Sequence, residues 1–437
     1  MVAGICPKSP LTIQVLQERH FACRCPIQIE PLCERNCIDA DARIGDNVRV
    51  KTAVVPIPFN RAALGEAEIR EVVATLKSGW LTTGPRVKKF EERFASYTGA
   101  AHAIALSSGT AALHLSLVAA GIGPGDEVVT TPMTFCATAN AIIHVGATPV
   151  FADVDPVSRN LALDTAAAAV TPRTRALLPV DLAGHPIDAP AFRRLADNHG
   201  LTLIEDAAHC IEGVSHGARV GTTADFTCFS FYATKNLTTA EGGMLTTASA
   251  DAAAHIRMAA LHGMSRDAWA RHSSSEATDY DVVMPGFKYN MMDLQAAIGI
   301  PQLASLESNL ARREAIWARY NEGLADLPVV LPGPVESGSR HARHVYSILV
   351  DPDQCGMDRA AFASALALRG IATSRHFQAL HLLTYYSKRF GWKRGCFPNT
   401  ERVSDQTVSL PLFPTLTFDE VDTVVDQIRA VLSAGGR

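Results

Sequence analysis

The stretch His102-Ala103-Ile104-Ala105-Leu106, followed by Ser107-Ser108-Gly109-Thr110 and then by Ala111 to Ala120, decides the fold. A short apolar strand enters a small polar turn, and the turn enters an alanine-rich helix. Working outward, the same unit returns at Glu127 to Thr130 with Phe135 to His144, and at Arg175 to Val180 with Ala189 to His199. Leu201 to Glu205 begins it again. Strands of this length alternating with helices predict an α/β chain whose sheet is mostly parallel and covered on both faces. Upstream, Leu64 to Leu76 carries Ile69, Val72, Val73 and Leu76 at helical spacing and stops at Ser78-Gly79, where glycine takes the left-handed backbone that ends helices. A helix over Val87 to Tyr97 is closed in the same way by Gly99.

Beyond Gly243 the spacing predicts longer helices over Ala252 to Leu261, Met292 to Leu306 and Asn309 to Leu324. Leu331 to Gly338 reads as a linker. After it comes a smaller α+β unit, with strands at His344 to Val350 and Ile371 to Phe377 and helices at Arg359 to Leu368 and Phe418 to Leu432. The expected division is a weakly structured N-terminal extension at 1–55, a large domain at 56–310 and a small C-terminal domain at 311–437.

Composition narrows the function. The 437 residues carry 44 acidic against 40 basic side chains, a formal charge of -4, so no nucleic-acid partner is expected. With 47% hydrophobic residues the chain fills a sizeable core. No apolar run approaches the roughly 18 residues of a membrane span, and the first twenty residues lack a secretory apolar stretch. A cytoplasmic protein without a membrane partner is the expectation. Cys6, Cys23, Cys25, Cys33 and Cys37 crowd the first 37 residues, but C-x-C and C-x3-C are not the paired C-x2-C of zinc sites, and no metal is expected.

Dinucleotide, Walker, zinc-protease and serine-hydrolase signatures are absent. What remains are polar residues at strand ends, where open α/β sheets put their ligands. Ser107-Ser108-Gly109-Thr110 offers a helix N-terminus, a residue without a side chain and hydroxyls, which suits a phosphate but, taken alone, reads first as a plain N-cap by Ser108 or Thr110. Glu205-Asp206-Ala207-Ala208-His209 puts a carboxylate at the sheet's edge, where it would keep a ring nitrogen protonated or serve as a cap. Cys228 to Asn236 is an aromatic strand that delivers Lys235 into a polar turn, where desolvation would turn its ammonium into a nucleophilic amine, or from which it would snorkel as an ordinary surface lysine. A phosphate cradle, an acid for a pyridine nitrogen and a lysine for an aldehyde are together the parts that hold pyridoxal phosphate.

From Pro56 to Ala434 the chain resembles the DegT/DnrJ/StrS sugar-nucleotide aminotransferases, of the aspartate-aminotransferase-like fold type I. Seven motifs in order carry the likeness: Gly79 to Pro85, Ser107 to Thr110, Pro132 to Phe135, Glu205 to His209, Phe229 to Asn236 with Glu241-Gly242-Gly243, Pro285 to Asn290, and Ser409 to Pro414. The resemblance implies that Lys235 joins the cofactor aldehyde, Asp206 partners the pyridine nitrogen and Phe135 stacks on the ring. By the same likeness His209 lies near the cofactor hydroxyl, and Gly109, Thr110 and Ser230 contact the phosphate. Asn290 matches an asparagine that reaches the cofactor phosphate of a neighbouring subunit, which implies a homodimer with shared sites. Thr83, Tyr232 and His376 match substrate positions, although Tyr232 replaces a histidine of some members.

The implied reaction is amino transfer from L-glutamate, released as 2-oxoglutarate, to a nucleotide-linked 4-keto sugar. Within the family the chain resembles the aminotransferases that make UDP-4-amino-4-deoxy-L-arabinose for lipid A modification of lipopolysaccharide, and the resemblance implies that product. This likeness rests on Pro285 to Asn290, Thr238 to Gly243, Cys355 to Arg359 and Arg375-His376-Phe377. The alternative is a 4-aminotransferase acting on a UDP-linked 4-keto-6-deoxyhexose, of the pseudaminic acid or bacillosamine type. A related sugar dehydratase would carry histidine in place of Lys235, and a non-catalytic regulatory protein of this fold would be marked by loss of the lysine or the acid; both residues are present.

Overall fold

The computed structural model describes residues 56–265 and 281–435, so the N-terminal extension expected at 1–55, with its five cysteines, lies outside the described residues. In chain order the strands are β1 His102–Leu106, β2 Glu127–Thr130, β3 Thr148–Phe151, β4 Thr174–Leu178, β5 Thr202–Asp206, the hairpin β6 Val214–Ser215 with β7 Ala218–Arg219, β8 Phe226–Ser230 and β9 Gly243–Thr247. Seven of them form one sheet in the order β1-β9-β8-β5-β4-β2-β3. Strand β9 runs antiparallel to β1 and β8, and the other pairs are parallel.

Around the sheet lie α1 Glu66–Ser78, α2 Pro85–Thr98, α3 Gly109–Ala119, α4 Cys136–His144, α5 Leu163–Ala168, α6 Ala189–His199, α7 Ala250–Ala259, α8 Asp293–Ala304 and α9 Leu306–Leu324. Alternation along the strands assigns the faces. Ile104, Leu106, Cys228 and Leu245 pack with α3, α4 and α7, while Ala103, Ala105, Phe229 and Met244 pack with α2 and α8 on the other side. Gly79 and Gly99 close α1 and α2 at φ 73° and 83°, left-handed values that a side chain would strain.

A separate apolar core gathers Ile316, Trp317, Tyr320 and Leu324 of α9 with β10 Tyr346–Leu349, α10 Arg359–Ala367, β11 Thr407–Leu410 and α11 Phe418–Gly435. Leu331 to Gly338 contains neither helix nor strand, in keeping with a linker. The strand expected over Ile371 to Phe377 does not form: Ile371 bridges Ile57 and Ser374 bridges Ser409, single pairings to two different neighbours. Its side chains are engaged instead, Arg375 donating to the Ser404 carbonyl through Nε at 3.0 Å.

Candidate active site

β1, β5 and β8 are parallel to one another in direction, so their carboxyl ends emerge along one edge of the sheet. There a cavity of about 370 Å³ opens. Into its wall the fold brings Gly109 and Thr110 from the start of α3, Phe135 from the start of α4, and Asp206 and His209 from the end of β5. Ser230, Tyr232 and Lys235 come from the end of β8, and His376 from the C-terminal part of the chain. Thr83 and Asn290 stand elsewhere within the chain, lining a hollow of about 490 Å³ with Glu91 and Arg257. In that hollow Asn290 Nδ2 donates to Thr83 Oγ1 at 2.7 Å, and Thr83 Oγ1 donates to the Met291 carbonyl at 2.6 Å.

At one end of the cavity lies an anion cradle. Ser108 is the N-cap of α3, its Oγ accepting from Ala111 N at 3.0 Å, so the plain capping role is filled one residue before Gly109. The following N–H groups of the first turn have no intrahelical acceptor and carry the positive end of the helix dipole. A Cβ on Gly109 would meet Ser230 Cβ at 2.9 Å, and one on Gly243 would meet the Ser108 carbonyl carbon and oxygen at 2.4 Å. Two bare glycines thus seat the turn against β8 and β9, with the Ser230 hydroxyl beside it.

Asp206 holds another part of the wall. Its Oδ2 accepts from Thr138 Oγ1 at 2.7 Å and its Oδ1 from Ala208 N at 3.2 Å. Burial raises the Asp206 carboxyl, while those hydrogen bonds and the charge of Lys235 favour its ionised form. Its neighbour Glu205 points into the core, accepts from Thr227 Oγ1 at 3.0 Å and is pushed up to about 7, chiefly by burial, so Asp206 is the acid that serves the cavity. Phe135 presents an aromatic face that is 58% exposed, unusual for a phenylalanine that does not cover a ligand.

Lys235 is half-buried, and burial pushes its amine down to about 8 against the pull of Asp206. Around it stand three histidines, each held below its usual value first by burial and then by the lysine's charge: His209 and His344 far below, His376 at about 4. His209 Nδ1 accepts from Ala183 N at 3.1 Å. A neutral ring that accepts at Nδ1 carries its proton on Nε2, which makes His209 Nε2–H a donor. Sequence reading missed Thr138 and His344. Thr138 sits in the first turn of α4 right after Phe135, a signal visible only once that helix start is placed on the site.

The matching family model, the DegT/DnrJ/EryC1/StrS aminotransferase family, covers residues 62–429. The chain belongs to that family. It is 47% identical over 377 residues, 86% of this chain and 97% of the other, to the spore coat polysaccharide biosynthesis protein SpsC of Bacillus subtilis. Its fold is similar to that of the putative sugar aminotransferase Spr1654 of Streptococcus pneumoniae in its PMP form, with TM-score 0.81, 34% identity, and 87% of this chain and 100% of that one covered. It is also similar to Helicobacter pylori PseC, an aminotransferase involved in pseudaminic acid biosynthesis, with TM-score 0.80, 25% identity, and coverage of 87% and 100%. Pyridoxal phosphate is the cofactor of this aminotransferase family member. The residues fit it: the glycine-walled helix start takes a phosphate, Phe135 offers a ring face, Asp206 a buried acceptor and Lys235 an amine, all on one cavity.

Proposed function

We propose that this chain transfers the amino group of L-glutamate to the keto carbon of a nucleotide-linked 4-keto sugar, working as a homodimer in the cytoplasm. The observation that carries the reading is the convergence of Lys235, Asp206, Phe135 and the Gly109–Thr110 helix start on a single cavity. When bound, the cofactor supplies an aldehyde that carries nitrogen between substrates and a ring that accepts electrons.

The chain's residues do the rest. Gly109 and Thr110 N–H groups and the Ser230 hydroxyl would hold the phosphate; Asp206, oriented by Thr138, would accept from the ring N–H; Phe135 would cover a ring face; His209 Nε2–H would donate to the ring hydroxyl. Lys235 Nζ, as a free amine, takes the proton from the α-carbon of glutamate, and later gives a proton to C-4 of the sugar. An amine titrating near 8 is suited to both, since it neither holds nor refuses the proton strongly at neutral pH. Asn290 and Thr83 stand away from the cavity of their own chain, which supports a role for Asn290 at a partner's site. The same reading divides a cofactor-binding from a C-terminal domain near residue 310, within α9, whose Leu306 packs with α2 and α8 and whose Ile316 packs in the C-terminal core.

The motif likeness favours a UDP-4-keto-pentose, giving UDP-4-amino-4-deoxy-L-arabinose. The likeness to PseC favours a 4-keto-6-deoxyhexose as the second reading. A panel of both sugars with glutamate, read by 2-oxoglutarate release, separates them: turnover of the pentose alone supports the first, of the hexose alone the second. Release with neither, from a protein that borohydride locks to its cofactor at Lys235, rejects the 4-keto sugar assignment.

A further inference from the structure

A chain of hydrogen-bonded polar groups leads from the protein interior to the lysine's side of the cavity. It starts at the ion pair of Arg313 with Glu212, whose side chains are 2% and 0% exposed. Glu212 Oε2 accepts from Asn236 Nδ2 at 2.8 Å, and the same nitrogen donates to the Ala342 carbonyl at 2.9 Å. Those two acceptors occupy both amide hydrogens, so Asn236 Oδ1 is left to accept, and it faces His344 Nδ1 at 2.9 Å. His344 therefore carries its proton on Nδ1 and keeps Nε2 bare. This is the opposite tautomer to His209, whose ring lies 4.5 Å away.

His344 lines the cavity that holds Lys235, and also the small hollow at which Lys235, Asn236 and Arg313 meet. Asn236, the residue next to the lysine, is clamped on one side by Glu212 and on the other by this imidazole. Besides Lys235, the groups that act on the ring are His376, His341 and Arg313, all of which oppose a positive charge there, as burial does. The ring stays neutral and its lone pair stays available.

Building on the amino-transfer reading, we propose that His344 is a positioning residue whose bare Nε2 accepts a hydrogen bond from the Lys235 ammonium, with the Arg313–Glu212–Asn236 chain fixing that tautomer and the backbone at the lysine. Lys235 becomes an ammonium each time it takes a substrate proton. An acceptor at hand holds the charged nitrogen over the cavity until the proton is returned. No proton passes to the imidazole in this role.

The test uses two amides that divide the ring between them. His344→Asn places an amide near Nδ1 and removes the Nε2 acceptor; His344→Gln places a carbonyl near Nε2. The pH dependence of pyridoxal phosphate capture by the cofactor-free full chain reads the Lys235 amine without glutamate or sugar. Its midpoint is expected to fall by about one unit in His344→Asn, because a hydrogen bond to a charged group is lost, and to stay within a few tenths in His344→Gln. In the holoenzyme the glutamate half-reaction should slow about 30-fold in His344→Asn with KM within about threefold, and recover to within about fivefold in His344→Gln. His344→Phe, which keeps a ring against His209, should repeat the Asn result. Equal behaviour of Asn and Gln, an unmoved midpoint, or activity lost only in step with Tm overturns the proposal. A protein that shows the midpoint shift yet aminates no 4-keto sugar leaves it standing and rejects the substrate reading instead.

Discussion

With Lys235 titrating at about 8 instead of the ordinary 10.5, about one amine in ten is neutral at pH 7, against about three in ten thousand for an unshifted lysine. That gain in free base comes from burial and is limited by Asp206. The sign fixes a prediction: the amine works when deprotonated, so the limiting rate of the glutamate half-reaction rises as pH increases through about 8 and levels above it. Stopped-flow measurement from pH 6 to 9.5 checks this, and a rate falling across that range contradicts the role. Thr138→Val makes a second test. Losing the 2.7 Å hydrogen bond raises the proton affinity of Asp206 and loosens its hold on the ring nitrogen. The expected result is kcat lowered about tenfold with Tm within a few degrees of the parent, the cost of one hydrogen bond to a charged group. The positions of Asp206 and Lys235 were legible in the sequence because one ends and the other follows a strand whose apolar run gives its place away. Thr138 and His344 were not, since their partners Asp206 and Asn236 lie 68 and 108 residues away and no local pattern marks such pairs.

The turn between β1 and α3 shows how elements make the site. Its approach to β8 and β9 leaves no room for a Cβ: one added at Gly109 would come within 2.9 Å of Ser230 Cβ, and one added at Gly243 within 2.4 Å of the Ser108 carbonyl. Gly109→Ala pushes the helix start off the strand, and overpacking of this kind costs roughly 1–3 kcal/mol. We expect cofactor affinity to drop about tenfold or more, measured by absorbance titration of the cofactor-free chain, with the glutamate KM little changed in the saturated enzyme. Gly243→Ala, which meets backbone and not a side chain, should be the more damaging of the two. At this scale the sequence yielded α1, α2, β1, β2 and α6 to within a residue or two, since glycine stops and helical spacing mark them. It did not yield β9, whose Gly-Met-Leu-Thr-Thr is buried on both faces and so lacks any alternation of polar and apolar residues. Nor did it yield β3, four residues containing a proline, at the sheet's outer edge where that residue is tolerated.

For the whole molecule, all seven motifs and the family match at 62–429 lie beyond residue 55. Removing residues 1–55 should therefore leave kcat/KM within about twofold, and a folded truncation without turnover would assign the extension a part in the reaction. The position of Asn290 gives a sharper prediction. In its own chain it bonds Thr83 in a hollow that does not include Lys235, and its buried Oδ1 has no hydrogen-bond partner among the described residues. That placement fits the role proposed for Asn290 at a partner's site. If each site of the proposed dimer takes Lys235 from one chain and Asn290 from the other, Lys235→Ala and Asn290→Ala chains lower activity separately and complement each other when mixed. A mixed dimer places both substitutions in one site and leaves its second site whole. Random reassortment of equal amounts makes half the dimers mixed, so activity should return to about a quarter of the parent value. Recovery to that level after co-refolding or co-expression, read with glutamate and the accepted sugar, shows the shared site; a mixture no better than the average of the two variants shows that each chain works alone.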